Sequence, residues 1–493
     1  MSSCSSWLDA DAENTISGDV YTDTEHIQQA LIGAYYNFAG IANSSEGGEL
    51  LGGDFILIPE LLARSSPSSG GLPQEYRWET VLAPTAYTDF RNKNILETNS
   101  RVTASWVRAY ETINTINNIV ANIDNVSDAS EKSRIHGEAL AIRGILYYEM
   151  VLLWAPQYDA QGVDPAVVKA VPIRLEPLTD VNDIPQLSSK DVNTIDEVYT
   201  QAFDDLTAAS TLLKTHGTNG VGLSYYACQA YLAKLSLQKG DYAKAESYAD
   251  EVINSGAYAL VDNPLKAFNN TSNSSEDIFA IQQTLANNVG DRSTGIGVTA
   301  YFSSLTESGL GVYGVIDADL TSSSWINSPL YSNKDVRGTV NQDVDSTSVN
   351  GDVINYAFYR NLANNDASLL STTKFTSSSY VLPIIRLAEM YLIRCEANSS
   401  RLNAVTSKAV DDLNKIRTRA GISAVAVSDF AGADALFDSL ALERSREFMY
   451  EGMLLEDLKR WGGYVGRTSS PIDAWGDQFV LPIPRSEKDT WSD

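Results

Sequence analysis

The sequence predicts a mainly α-helical protein, in which a helical-repeat scaffold carries long irregular loop insertions within one domain of 493 residues. Two observations predict this fold class. Several separate stretches repeat apolar residues at helical spacing, whereas 40–92 and 257–380 lack that spacing and are rich in Gly, Ser, Asn and Pro. Because 43% of the residues are hydrophobic, such a chain can bury a large core.

The clearest helical signal is the segment 222–256, GLSYYACQAYLAKLSLQKGDYAKAESYADEVINSG. It predicts two helices joined by a tight turn at Gly240 and Asp241, with small alanines at the facing positions and Tyr242 at the turn. This spacing resembles a tetratricopeptide repeat. One helix pair cannot bury its own apolar faces, so other helical patterns are expected to pack around it. Their spacing is too irregular for a strict repeat array, and they lie at 102–123, 135–155, 195–213 and 384–402.

The two irregular stretches, named here the first insertion (40–92) and the second insertion (257–380), are too long to be simple linkers. Loops of such length in a compact protein are usually functional or carry small structure of their own. Both contain many aromatic residues. We therefore expect the helices to form the scaffold and the insertions to contact a ligand.

The charge of the chain limits its partners. The formal net charge is −27, and so acidic a surface repels phosphates and anionic lipid headgroups. Nucleic acid is therefore a poor candidate partner. Nowhere do about 18 consecutive apolar residues occur, so no segment is expected to cross a bilayer as a helix.

The three cysteines fall into two groups. Cys228 and Cys395 lie far apart within helical patterns, which predicts small core residues rather than a disulfide. Cys4 precedes every periodic segment, in the polar run MSSCSS, which resembles the end of a bacterial lipobox without its hydrophobic signal. Two interpretations stay open at this point, an acylated cysteine with a polar tether over 1–20 or a terminal residue without a role.

Signatures of metal binding and catalysis are weak. The three histidines, His26, His136 and His216, have no second His or Cys at helical spacing, so no zinc site is predicted. The GxGxxG pattern at 309–314 is not followed by an amphipathic helix, which argues against a dinucleotide site. The acidic run 341–352 lacks the Gly and terminal Glu of an EF-hand, so a structural calcium ion there is unsupported. We expect no cofactor.

Three glutamates, Glu443, Glu447 and Glu451, recur every four residues and are predicted to line one helical face. A glycosidase needs two carboxylates on opposed walls of a cleft, so a catalytic pair on one face is disfavoured. The structural interpretation is favoured, in which neighbouring basic residues pair with these carboxylates and fix the helix. The basic residues in question are Arg444, Arg446, Lys459 and Arg460.

The same region carries a resemblance to a known family. The segment ERSREFMYEGMLLEDLKRWG at 443–462 resembles the C-terminal signature of the SusD/RagB family of outer-membrane glycan-binding lipoproteins. Further motifs resemble that family in the same order along the chain. They are KGDYAKAESYADEVINSGAYAL (239–260), IIRLAEMYLIRCEA (384–397), AVDDLNKIRTRAGI (409–422) and FVLPIPRSEKDT (479–490), and the signature helices fall within 381–493.

The resemblance implies a non-enzymatic lipoprotein on the cell surface, anchored in the outer membrane through Cys4. It implies that the protein captures oligosaccharide or polysaccharide and passes it to a SusC-like TonB-dependent transporter without chemical change. The alternatives are a helical-repeat adaptor that binds only proteins and a glycosidase.

Sugar recognition suggests candidate binding residues. A sugar ring presents an apolar C–H face and a belt of hydroxyls, which calls for aromatic platforms with a few hydrogen-bonding groups. The best platforms are the two insertion tryptophans, Trp78 and Trp325, because Trp106, Trp154 and Trp461 lie in helical patterns typical of core residues. The flanking candidates are Tyr76, Tyr301 and Tyr313 as aromatic contacts, with Asp54 and Arg64 as hydrogen-bonding groups. The acidity and the lack of a basic cluster in the insertions favour a neutral glucan such as laminarin.

Overall fold

The protein is described by a computed structural model, which covers residues 20–41, 47–63, 78–79, 85–178, 188–218, 221–284, 287, 297–302, 315–317, 334–341, 356–360, 369–377, 379–462 and 476–492. The α-helices are α1 (Thr24–Ala39), α2 (Asp54–Ala63), α3 (Thr85–Asn92), α4 (Ser100–Ala121), α5 (Ala129–Trp154), α6 (Ile195–Leu213), α7 (Tyr225–Gln238), α8 (Tyr242–Asn254), α9 (Val298–Phe302), α10 (Leu387–Leu402), α11 (Ser407–Arg419), α12 (Ala433–Glu447), α13 (Leu454–Trp461) and α14 (Arg485–Lys488). The prediction of a mainly α-helical fold is confirmed.

Helices that follow one another along the chain pack against each other. Helix α5 packs on α4 and α6, α7 packs on α8, and α10 packs on α8 and α11. One large apolar core runs through most of this scaffold, and a smaller cluster joins α10, α11 and α12. Both described cysteines, Cys228 and Cys395, are fully buried in helices as free thiols. Trp106 and Trp154 belong to the large core, with indole rings 5.6 Å apart.

Helices α5 and α6 approach closely because glycine occupies two positions on the facing side of α5. A β-carbon at Gly137 would lie 2.7 Å from a leucine side chain of α6, and one at Gly144 would lie 2.9 Å from another. The Arg143 guanidinium crosses the same interface and pairs with Asp205 at 2.7 Å. The interface therefore combines close backbone packing with one buried, bidentate ion pair.

The segment 222–256 forms two helices at the positions that its spacing predicts. Helix α7 ends at Gln238, Gly240 turns the chain with φ of +72°, and the Asp241 carboxylate caps α8 by accepting the Lys244 N–H at 3.2 Å. The alanines at the facing positions are fully buried, and they are Ala227, Ala230, Ala245 and Ala249. Helix α10 packs against α8, so a further helix covers this pair as the repeat argument requires.

The first insertion contains a helix that the sequence pattern does not reveal. Every residue of α2 is buried, so the helix has no polar face and its apolar residues show no helical periodicity. Pro59 lies inside it, where proline removes a helical hydrogen bond. Tertiary packing therefore determines this helix rather than amphipathic spacing.

The described strands form two sheets, one antiparallel pair and one mixed sheet of five strands. They are β1 (Trp78–Glu79), β2 (Asp277–Ile281), β3 (Val315–Asp317), β4 (Val340–Asn341), β5 (Phe358–Arg360), β6 (Leu369–Thr372) and β7 (Leu382–Arg386). Strands β2 and β7 pair with each other, and the remaining strands form one sheet in the order β1-β3-β6-β5-β4. Only β4 and β5 are parallel within the described sheets. The β2–β7 pair leads directly into α10 and connects the second insertion to the scaffold.

Candidate functional site

The five-stranded sheet joins the two insertions. Strand β1 comes from the first insertion, and β3, β4, β5 and β6 come from the second. The register pairs Trp78 with Ile316 and Glu79 with Val315 in antiparallel orientation. The structure thus brings together two segments that are more than two hundred residues apart in the sequence, and both are segments that we predict to contact the ligand.

The structure describes fewer than half of the predicted glycan-binding residues. The backbone of Trp78 lies in β1, at the edge of the five-stranded sheet. The other platform residue, Trp325, lies outside the described residues, and so do Tyr76, Tyr313, Arg64 and the predicted lipid attachment site Cys4. Their roles stay predictions.

Asp54 has a structural environment that differs from the prediction. It is the first residue of α2 and is fully buried. Its carboxylate accepts hydrogen bonds from the Tyr87 hydroxyl at 2.7 Å and the Ser105 hydroxyl at 2.6 Å, and it pairs with the Arg101 guanidinium at 2.8 Å. With its oxygens satisfied inside the protein, Asp54 does not face a glycan in this structure, which corrects the prediction for this residue.

Tyr301 is buried as well, in the short helix α9. Its ring meets the Tyr87 ring edge-to-face at 5.3 Å and the Phe302 ring at 5.4 Å. A sugar cannot stack on a ring that has no solvent-exposed face. The structure therefore gives Tyr301 a packing position between the two insertions, rather than the exposed platform that we expected.

The three glutamates of the signature segment do not share one helical face. Helix α12 ends at Glu447, so Glu451 lies in the turn that follows, and Tyr450 in this turn has a positive φ of 72°. The structural interpretation still describes them best, because all three side chains are buried or nearly buried among basic groups.

The basic partners of these glutamates are mostly not those that we predicted. Arg446 alone, of the four predicted residues, approaches one of them, Glu443, at 3.4 Å. Arg444 pairs instead with Asp457 at 2.8 Å, and Arg460 pairs with Glu396 at 2.7 Å. Lys459 donates to the carbonyl oxygens of Leu152 (2.5 Å) and Ala155 (3.0 Å) at the end of α5.

The actual partners come from the second insertion and from neighbouring helices. We name the resulting group the anchor cluster, and it consists of Glu276, Asp335, Arg337, Lys374, Arg386, Arg419, Glu443, Glu447 and Glu451. A sequence signal for part of it exists, since Arg386 interrupts the apolar run VLPIIRLAEMYL. The signal does not say which carboxylates Arg386 meets.

The anchor cluster ties the second insertion to the scaffold. The Arg337 guanidinium, between β3 and β4, pairs with Glu443 at 2.7 Å and with Glu447 at 3.0 Å. The Lys374 ammonium, just after β6, pairs with Glu451 at 2.6 Å. Because both cations belong to the second insertion and the carboxylates belong to the C-terminal segment, these pairs fix the sheet on the helices.

Glu447 is the electrostatic centre of the cluster. Its carboxylate contacts Arg337 at 3.0 Å, Arg386 at 3.1 Å, and Arg419. Burial alone would raise the pKa of Glu447, but the guanidinium groups of Arg419, Arg386 and Arg337 outweigh burial and hold that pKa well below its usual range. The carboxyl group is therefore ionised at neutral pH.

The turn after α12 also contacts the first insertion. The Gly452 N–H donates to the buried Glu60 carboxylate of α2 at 2.9 Å. Gly452 has φ of +81°, and a β-carbon there would lie 3.0 Å from Ile56 Cα and 3.2 Å from Phe55 O. Glycine is required here by both backbone conformation and close approach. The C-terminal signature thus holds both insertions.

A small pocket of about 20 Å³ lies where the sheet meets this turn. Its walls combine apolar side chains, such as Phe268 and Phe358, with the charged groups of Arg337, Lys374 and Glu447. Because Arg337 and Lys374 are each paired with carboxylates of the anchor cluster, the pocket offers no uncompensated positive charge from these two residues.

Within the described ranges, no group of three or more His, Cys, Asp or Glu side chains is arranged to hold a metal ion. The run 341–352 and the GxGxxG segment lie almost entirely outside those ranges. No described helix combines the length and the apolar character that a membrane span requires.

A helical-repeat scaffold that fixes two joined insertions defines the general class, a helical-repeat protein with long insertions. Comparison with family models narrows this general class to one family. Residues 258–484 match the model described as "SusD family", and residues 73–237 match the model described as "Starch-binding associating with outer membrane". The chain therefore belongs to the SusD family.

Similar proteins agree with this assignment. SusD-like protein P2 of Formosa agariphila is 26% identical over 502 residues, which cover 95% of this chain and 90% of that protein. A SusD superfamily protein from Bacteroides thetaiotaomicron has the same fold, with a TM-score of 0.74, 23% identity, and coverage of 95% of this chain and 98% of that one. A SusD-like carbohydrate binding protein from Bacteroides vulgatus is similar at a TM-score of 0.71 and 18% identity, with coverage of 95% and 96%.

Family membership establishes the coarse function. SusD-like proteins bind carbohydrate and are not catalytic, so this protein is a carbohydrate-binding protein and not an enzyme. The glycosidase alternative is thereby excluded on the basis of the family. The family also indicates association with the outer membrane.

Proposed function

We propose that this protein captures oligosaccharide or polysaccharide at the cell surface and delivers it, chemically unchanged, to a SusC-like TonB-dependent transporter. The observation that carries the proposal is the pairing of β1 with β3, because it joins the two aromatic-rich insertions into one surface on a fixed scaffold. The proposed delivery needs no cofactor, since no bond in the glycan is made or broken.

The proposed ligand is a neutral glucan such as laminarin. The net charge of −27 disfavours sulfated or uronate-rich polymers. Two cations of the second insertion, Arg337 and Lys374, support the same choice, because they are occupied by carboxylates of the anchor cluster. A binding screen against defined neutral and anionic polysaccharides tests the proposal. Binding to anionic polymers alone would contradict the neutral ligand, and no binding to any polysaccharide would favour the protein-adaptor alternative.

The residues proposed to contact the glycan are Trp78 and Trp325 as platforms, with Tyr76, Tyr313 and Arg64 beside them. We expect Trp78→Ala and Trp325→Ala each to weaken laminarin binding by about 1–3 kcal/mol, by analogy with base stacking on aromatic side chains. Isothermal titration calorimetry measures the affinity, and the melting temperature is expected to stay unchanged. Trp461→Phe serves as a control, because Trp461 packs against Phe437 in the scaffold. Normal binding by either alanine variant removes that residue from the proposed site.

We also propose that Cys4 carries the lipid anchor and that 1–20 form its tether. Several acyl chains together hold a protein durably at a membrane, at about 0.8 kcal/mol per buried methylene. In cells grown with labelled palmitate, the protein is expected to take up label and the Cys4→Ala variant is expected to take up none. The other two cysteines provide an internal control, because Cys228 and Cys395 are buried and burial raises the pKa of both thiols. Label retained by Cys4→Ala would contradict the anchor.

A further inference from the structure

The strand contact between the two insertions is short. Strands β1 and β3 share two residue pairs, Trp78 with Ile316 and Glu79 with Val315. An isolated two-stranded ribbon is marginally stable in water even when it is longer than this. A second contact is therefore needed to keep the two insertions aligned, and the structure contains one.

This second contact is the Tyr87–Tyr301 ring pair. Tyr87 lies in α3 of the first insertion and Tyr301 lies in α9 of the second, and both side chains are fully buried. Their ring centroids are 5.3 Å apart at an interplanar angle of 69°. An edge-to-face pair prefers a restricted range of angles, so it constrains the orientation of one helix against the other.

The position of Tyr87 is itself fixed by polar groups. Its hydroxyl donates to Asp54 at 2.7 Å, and the Arg101 guanidinium lies 5.8 Å from its ring centroid. Asp54 is in turn bound by Arg101 and Ser105, which both belong to α4 of the scaffold. A buried hydroxyl with an ionic acceptor in a satisfied network has little freedom to shift.

The contact continues from Tyr301 to the C-terminal segment. Phe302 follows Tyr301 in α9 and meets the Tyr450 ring at 4.9 Å and 74°. Tyr450 belongs to the turn between Glu447 and Gly452, which carries the contacts to both insertions. Aromatic packing therefore runs from the Asp54 network through Tyr87 and Tyr301 to the anchor cluster.

We infer that Tyr87 and Tyr301 are positioning residues for glycan binding, which align the first insertion with the second and so keep β1 paired with β3. The inference rests on the proposed function. Both side chains are fully buried, which leaves no ring face for a glycan. Both act through the relative placement of β1 and β3.

The test compares Tyr301→Leu with Tyr199→Leu. Tyr199 is a matched control, because it is buried in α6 and makes edge-to-face contacts with Tyr148 at 6.4 Å and Tyr158 at 5.2 Å, within the scaffold. Both variants lose a buried ring, so both are expected to melt at lower temperature. Binding of a laminarin oligosaccharide is measured at a temperature where each variant is fully folded.

We expect Tyr301→Leu to bind about tenfold more weakly, the upper range for loss of one aromatic pair, and Tyr199→Leu to bind normally. Hydrogen exchange of the ligand-free protein distinguishes a positioning role from a purely stabilising one. A purely stabilising role would not change the exchange of β1 and β3 in particular. The amides of β1 and β3 are expected to exchange faster in Tyr301→Leu and at the original rate in Tyr199→Leu. Tyr87→Phe keeps the ring, loses the bond to Asp54, and should show a smaller change of the same kind, so the test survives if Tyr301→Leu does not fold.

Unchanged exchange at β1 and β3, or unchanged affinity in a protein that binds laminarin, overturns the positioning role. Equal effects of Tyr199→Leu overturn it as well, because they show a general consequence of lost stability. If the unmodified protein binds no glucan, the proposed ligand fails, and the exchange data alone then decide whether the two tyrosines align the insertions.

Discussion

Replacing Glu447 by glutamine is expected to lower the free energy of unfolding by about 3–5 kcal/mol, the usual cost of removing one partner from a buried ionic group. The substitution leaves the buried guanidinium groups of Arg337, Arg386 and Arg419 without their shared counter-charge. Denaturant unfolding at pH 7 measures the change. Because Arg337 belongs to the second insertion, this insertion should also lose protection from hydrogen exchange.

A matched control is Glu131→Gln, which removes one half-exposed carboxylate that pairs with Arg134 on the surface of α5. This pair should contribute at most about 1 kcal/mol. Equal losses in the two variants would contradict the central role of Glu447.

The Glu447 contribution also depends on pH with a defined sign. The folded-state pKa of Glu447 lies well below its unfolded value, because three guanidinium groups stabilise the carboxylate. Its stabilisation is therefore complete above the ordinary pKa of a glutamate and is lost as the pH falls below it. The difference between the unmodified protein and Glu447→Gln should shrink on acidification, and a difference that grows instead would contradict this assignment.

The second large effect is expected for Lys234→Met, at about 3–5 kcal/mol near neutral pH. The Lys234 ammonium lies in the core, 2.8 Å from Glu389 Oε1 and 3.2 Å from Glu456 Oε1. Methionine keeps most of the apolar volume of lysine. It removes the positive charge that pairs with Glu389 and Glu456. Thermal and denaturant unfolding measure the loss.

The Lys234→Met deficit should be smaller at pH 5 than at pH 8. Burial raises the pKa of Glu389 in the unmodified protein, and the nearby Lys234 opposes this shift. Removing the ammonium raises that pKa further, so the variant can take up a proton in mild acid and avoid burying an unpaired charge. The double variant Lys234→Met with Glu389→Gln should regain part of the lost stability. A deficit independent of pH would contradict this explanation.

Much of the scaffold was predictable from the sequence because the apolar residues of its helices recur at helical spacing. Helix α8 has one apolar and one polar face, and Gly240 marks the turn before it. Helix α7 is buried from Ala227 to Gln238, yet polar residues such as Gln229 and Lys234 interrupt its apolar ones and leave the spacing visible. Helix α2 was missed because its residues are almost all apolar, so no helical spacing stands out. The mainly helical fold and the family follow from such local patterns and motifs, which do not depend on distant partners.

The site was less predictable, for a different physical reason. Residue type suggests that Asp54 and Tyr301 can bind sugar, but it does not say whether a side chain points outward or inward. The structure places both inside, where they support the insertions. The basic partners of Glu447 were missed because charge is visible in a sequence and spatial proximity is not, and Arg337 lies 110 residues before it.

The composition of the anchor cluster has a consequence for the order of folding. Its members extend from Glu276 to Glu451, so the second insertion leaves the ribosome well before the carboxylates that hold it are synthesised. The helices around α7 and α8 can form from local contacts. The five-stranded sheet can pack on the scaffold only after nearly the whole polypeptide is available. A chain truncated before α12 should therefore retain folded helices while the five-stranded sheet stays unassembled.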